Sequence, residues 1–75
     1  MNTYILPHSN GKARVIRTGQ GEYLVSYETT VLFTSARTGK RYRTWDDWTL
    51  TTGRHIKEYC NLNKAEYMAL PYKGV

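Results

Sequence analysis

With 75 residues, of which 40% are hydrophobic and 13% aromatic, the chain has room for one thin core and no second domain, so residues 1–75 read as a single domain. Eleven Lys and Arg against six Asp and Glu leave a net charge of +5, a field that attracts nucleic acid or an acidic protein surface. The single Cys60 excludes an internal disulfide, no run approaches the roughly 18 apolar residues of a membrane span, and the first residues lack a secretory pattern. A cytoplasmic protein away from membranes is expected, and a core this thin favours association with itself or with a partner.

In chain order, Thr3-Tyr4-Ile5-Leu6 reads as a short strand stopped by Pro7, followed by His8-Ser9-Asn10-Gly11, whose Asn-Gly pair suits two positive φ angles in a hairpin. A second strand over 13–18 alternates incompletely, so both of its faces are expected to be partly covered, and Gly19-Gln20-Gly21 supplies a turn. Over 22–35, Tyr23, Val25, Tyr27, Thr29, Val31 and Phe33 recur with period two, which predicts one long strand with that face buried. Leu24, Ser26, Glu28, Thr30, Leu32 and Thr34 make the opposite, mixed face. Fourteen residues exceed a usual strand of about five or six, so a bulge or bend is expected near Glu28-Thr29-Thr30.

A turn over 36–40 leads into a further strand, Arg41-Tyr42-Arg43-Thr44-Trp45. Beyond Asp46-Asp47 the period changes: hydroxyl caps at Thr51-Thr52 precede Ile56, Tyr59 and Cys60 at i, i+3, i+4, which predicts a helix over about 52–61 with Cys60 on its inner face. Asn63-Lys64-Ala65-Glu66 repeats the start signal with capping-box spacing, and Tyr67, Met68 and Leu70 follow before Pro71. The two helices are alternatively one, kinked near Asn61, and the tail 72–75 is expected to fray. The fold class is therefore α+β: an antiparallel meander of three or four strands packed by one or two C-terminal helices.

The main chemical feature is Arg37, Lys40, Arg41 and Arg43 interleaved with Tyr42 and Trp45 on a projecting hairpin. Guanidinium groups grip phosphates or carboxylates at two points and aromatic faces stack on bases, so Arg37, Lys40, Arg41, Arg43 and Trp45 are the candidate binding residues. Alternation sets Arg41, Arg43 and Trp45 on one side and Tyr42 on the other. His55 has Glu58 three residues on but no nucleophile or substrate proton assigned by spacing, so no enzyme is expected. His8, His55 and Cys60 are scattered, adjacent Asp46 and Asp47 diverge, and Gly19-Gln20-Gly21 is too short for a nucleotide loop, so neither metal nor cofactor is expected.

The run from Ser26-Tyr27-Glu28-Thr29 through Trp48-Thr49-Leu50-Thr51-Thr52-Gly53-Arg54-His55 resembles a family of small bacteriophage proteins with an uncharacterised domain. The pattern is a strand bearing Tyr-Glu-Thr, a variable hairpin, then Trp-Ser/Thr-x-Thr-Thr-x-x-His. Tyr27, Glu28, Thr29, Trp48, Thr49, Thr51, Thr52 and His55 match it, and Gly53 departs from it. The resemblance implies a viral source. Small phage proteins of this kind act by occupying a surface of a host machine, inhibitors of CRISPR-type defence among them, so a phage accessory protein in the host cytoplasm is the expectation. Its partner is then a host or phage protein complex, or, for a nucleic-acid-binding module, RNA or DNA. Mechanically, Thr51 or Thr52 would cap the helix and His55 would bond back to Tyr27 or Glu28, clamping helix to strand.

Overall fold

The computed structural model describes residues 2–74. Five strands, β1 (Asn2–Ile5), β2 (Ala13–Arg17), β3 (Gly21–Ser26), β4 (Thr29–Ser35) and β5 (Arg41–Arg43), precede two helices, α1 (Leu50–Cys60) and α2 (Lys64–Met68). All strand pairs are antiparallel and follow chain order, so the α+β meander has five strands where three or four were expected.

The additional strand comes from 22–35, which is a hairpin. Ser26 pairs with Thr29, leaving Tyr27-Glu28 as a two-residue turn. Tyr27 carries φ 58 there, a conformation usually given to Gly or Asn, which is why no turn signal stands in the sequence. Backbone contacts hold it in place: the Tyr27 N–H donates to the Lys12 carbonyl at 2.7 Å, and its own carbonyl accepts from Arg14 Nη1 at 3.4 Å.

The break expected near Glu28-Thr29-Thr30 is present twice, as the turn at Tyr27-Glu28 and as a bulge just beyond Thr30. Leu24 pairs with Leu32 but Val25 with Thr30, so Val31 is the extra residue of a bulge. Consecutive Val31 and Leu32 both enter the core as a result. Both faces of β3 are buried in part: Leu24 lies in the core and Ser26 bonds to α1, while Val25 is buried and Tyr23 half-buried on the side of the sheet away from the helices.

That core holds Leu6, Ala13, Val15, Leu24, Val31, Leu32, Ile56 and Tyr67, with Trp45, Trp48, Tyr59, Cys60, Leu62 and Leu70 packed around it. Both helices therefore cover the same face. The β1–β2 turn follows its Asn-Gly signal, with φ 55 at Asn10 and 78 at Gly11. Burial pushes the Cys60 thiol up, and its Sγ donates to the Ile56 carbonyl at 3.4 Å.

Thr49 caps α1, its Oγ1 accepting from the Thr52 N–H at 3.2 Å. Neither Thr51 nor Thr52 does so, because both already lie in the first helical turn. Asn61, in the left-handed region at φ 59, ends α1 and makes two helices of what was open as one. At α2 the capping box between Asn63 and Glu66 is formed in both directions. The tail does not fray over its described part: Arg43 donates its N–H to the Pro71 carbonyl and accepts from Lys73, both at 2.9 Å, so 71–73 run parallel to β5 and cover that edge.

Candidate functional site

The hairpin residues do not form one outward surface. Arg37 and Lys40 are exposed in the β4–β5 turn. Arg41 and Arg43 pair with Thr34 and Leu32, which places them on the helix side of the sheet. Arg43 is partly buried: its Nη1 donates to the Trp45 carbonyl at 3.1 Å and its guanidinium lies 5.3 Å from the Tyr72 ring centroid. Trp45 follows the end of β5 and packs on the core instead of joining the arginines outside. Arg41 and Arg43 thus share one side with Tyr42 on the other, as expected, but Trp45 does not join them, since the strand ends at Arg43 and Trp45 packs on the core.

On the other side of the sheet, the register sets Thr3, Ile16, Tyr23, Phe33 and Tyr42 in one cross-strand row through all five strands. No helix covers this face among the described residues. Tyr23 and Phe33 rings stand 4.8 Å apart and Phe33 and Tyr42 rings 6.2 Å apart, the second pair stacked. From the tail, Lys73 brings its Nζ to 5.7 Å from the Phe33 centroid and 5.9 Å from that of Tyr42. Arg14 joins this face in the next row, beside Ile5 and Val25, and Arg37 borders the groove that Phe33 and Lys73 line. No strand position on this face is acidic, because Glu22 pairs with Arg17 on the helix side, where Tyr59 also bonds it.

Period two had already grouped Tyr23 with Phe33 on a face expected to be buried, which holds for Phe33 and Val25, but the helices pack on the other side. Ile16 and Arg14 were read only as positions on a partly covered strand. Lys73 was missed because nothing in Pro71-Tyr72-Lys73 marks it as paired chain.

His55 occupies the end of the helix side. Its Nδ1 lies 2.8 Å from Ser26 Oγ, which in turn lies 2.9 Å from Thr52 Oγ1, all within buried surroundings. The Tyr27 ring packs on it at 5.8 Å, whereas Glu28 is exposed in the turn. Helix and strand are joined here, then, through Ser26 instead of Tyr27 or Glu28. A serine beside a histidine is also the pairing of a nucleophile and its base. Ser26 is buried and its hydroxyl is shared between Thr52 and His55, so the pair fastens α1 to β3. Ser26 began the run that carried the family resemblance, and its match to a helix hydroxyl and histidine was the missed signal.

Trp48 folds back over the first turns of α1, its ring 5.6 Å from Tyr67, and its indole occupies the space a β-carbon on Gly53 would need. Gly53 is therefore the residue that lets Trp48 lie against α1. Among the described residues no group of three or more His, Cys, Asp or Glu is placed to hold a metal ion, and no helix is long and apolar enough to cross a membrane.

Desolvation holds the His55 pKa below its ordinary 6.5, against an opposing pull from Glu58. Ser26, Thr52 and Tyr27 surround the ring, and His8, Lys12, Arg54 and Glu58 share its cleft. A depressed histidine pKa means protonation favours the unfolded chain, so this contribution is complete above pH 6.5 and is lost as pH falls through that value toward the lowered one. Thermal melts across that range are expected to fall less steeply for His55→Asn than for the parent. Equal slopes would show that His55 charges freely in the folded protein.

No curated protein and no solved structure matches the chain. A family model does match, over residues 7–73, a span that takes in β2 to β5, both helices, His55 and Lys73. By that match, the chain belongs to the family described as Family of unknown function (DUF8033).

Proposed function

We propose that this protein is a non-catalytic module that binds single-stranded nucleic acid on the helix-free face of its sheet. One observation carries the reading: the five-strand register sets the half-buried Tyr23 and Tyr42 on either side of the buried Phe33, in a row flanked by Arg14, Arg37 and Lys73, with no strand carboxylate beside them. Aromatic faces accept bases of any sequence, while cations spaced along the same surface follow the phosphates. A duplex hides its base faces, so the row favours an unpaired strand. The net charge of +5 adds long-range attraction for a polyanion.

The test compares fluorescence anisotropy of one labelled oligonucleotide, single-stranded and as a duplex. Tighter binding of the single strand is expected. Tyr23→Leu and Tyr42→Leu keep apolar bulk but remove the stacking face, and each should weaken binding by about 1–3 kcal/mol if it stacks on a base. Lys73→Gln and Arg37→Gln should each lower the salt dependence by about 0.7 in log-log slope, the single-strand value per charge. Equal affinity for duplex and single strand, with no effect of either Tyr change, would sink the proposal.

A second reading, a phage accessory protein that occupies a host protein assembly and blocks defence, draws on the resemblance and on the β1 edge. β1 is exposed along its length, with Tyr4 at 43% and Ile5 at 58% exposure, and an extended segment of a partner can add to such an edge. Nuclease-resistant capture of one host protein, abolished by Ile5→Pro, would favour it over the first.

A further inference from the structure

Away from the aromatic row, a cleft of about 420 Å³ opens between the β1–β2 loop, the Tyr27 turn and the first turns of α1. It is lined by His8, Ser9, Asn10, Lys12, Tyr27, Thr51, Arg54, His55 and Glu58, which brings both histidines of the chain to one place. Three features point to a ligand. First, His55 is only 5% exposed, and its Nδ1 is taken by Ser26. Its Nε2 has no hydrogen-bond partner among the described residues, yet it is not one of the enclosed polar atoms left without one, which are Thr34 Oγ1 and Arg43 Nε. The free nitrogen of a nearly buried ring therefore opens into the cleft.

Second, the charge around it is positive. Lys12 and Arg54 are exposed at the rim, and no salt bridge engages either of them among the described residues. Glu58 is the one carboxylate lining the cleft, and its Oε2 already accepts the His8 N–H at 3.0 Å. The first turn of α1 adds the partial positive charge of a helix start, with Thr51 on the cleft wall. Third, Tyr27 lines one wall as an exposed residue with its ring against His55, so an aromatic side chain stands beside the cations.

We propose that this cleft binds a phosphate monoester of nucleotide size, with Lys12, Arg54 and His55 on the phosphate and Tyr27 against the base. The volume lies within the range of about 300–1,000 Å³ of small-molecule sites and is larger than a bare phosphate requires. An exposed guanidinium and a nearby ammonium give the two-point and single-point contacts that phosphate oxygens accept. The same chemistry is presented by a free mononucleotide and by the phosphorylated end of a strand. The site does not depend on the aromatic row, which lies on the opposite face of the sheet.

Uridine 5′-monophosphate titrated into the intact protein, followed by backbone amide NMR, tests the proposal with uridine and inorganic phosphate as comparisons. The monophosphate is expected to shift Tyr27, Thr51, Arg54 and His55, to bind at least tenfold tighter than uridine, and to be displaced by inorganic phosphate. Arg54→Gln and Lys12→Gln change exposed side chains and should together weaken it at least tenfold with the melting temperature kept. Glu58→Gln keeps an oxygen for the His8 N–H and should tighten binding by removing a repulsive charge. The Tyr23→Leu/Tyr42→Leu double variant should bind the monophosphate as the parent does, so this site and the strand-binding face succeed or fail separately. A 5′-phosphorylated oligonucleotide that outbinds its 5′-hydroxyl counterpart, an advantage lost with Arg54→Gln, would assign the site to strand ends. Equal affinity of the two oligomers would assign it to free nucleotide. Equal binding of uridine and its monophosphate, or no effect of the Arg54 and Lys12 changes, overturns the proposal.

Discussion

Gly53→Ala is expected to destabilise the protein, although in an ordinary helix interior the same change stabilises by about 1 kcal/mol. The new β-carbon would stand 2.5 Å from Cζ2 and 2.7 Å from Cε2 of the Trp48 indole. Those ring atoms cannot simply swing away, because Trp48 packs against the core and against Tyr67. Overpacking of this kind costs about 1–3 kcal/mol, which outweighs the helix gain. A lower urea midpoint for Gly53→Ala, relieved when Trp48→Leu is added, is the outcome to look for. A Gly53→Ala protein more stable than the parent would mean that the indole moves freely.

Tyr67→Ala should cost more, about 3–5 kcal/mol, the range for removing a large aromatic from a core. Tyr67 is fully buried, and its hydroxyl, held neutral by burial with a pKa pushed up to about 12, donates to the Val31 carbonyl at 2.6 Å. The Trp45 carbonyl lies 3.2 Å from the same oxygen. Tyr67→Phe removes only these contacts, and both carbonyls keep another donor, Thr44 N–H on Val31 and Arg43 Nη1 on Trp45. Neither acceptor is orphaned, so the Phe variant should lose no more than about 1 kcal/mol, the net value of an ordinary hydrogen bond. Urea titrations of the two variants separate the roles of ring and hydroxyl. A Phe variant as damaged as the Ala variant would assign the main role to the hydroxyl.

Where the sequence could be read, the signal was local and chemically specific. Asn10-Gly11 and the Asn63-Glu66 box both have side chains or backbone freedom that only one geometry uses well. The hairpin at Tyr27-Glu28 was hidden because a tyrosine takes the positive φ, and alternation ran through it without interruption. A two-residue turn reverses which parity faces the core, and the bulge at Val31 reverses it again. Tyr23 and Phe33 consequently remain on one side, as period two required, but on the side opposite the helices. Periodicity groups residues into faces and is silent about which face the later helices will cover. The cap was likewise read at Thr51 or Thr52, whereas the extended backbone of Thr49 places it earlier in the chain. The basic residues were visible as types, whereas their sides depended on where β5 ends and on the tail beside it.

The two margins of the sheet differ in one respect that bears on behaviour at high concentration. Residues 71–73 block the β5 margin at Arg43 with two backbone hydrogen bonds, while β1 presents its outer margin to solvent. Two copies joined antiparallel through β1 would consume both bare margins and leave outside the ones the tail blocks at Arg43, which favours a pair over further growth. Stripping the last residues would convert a self-limiting association into a propagating one, because every added copy would then offer a fresh margin to the next.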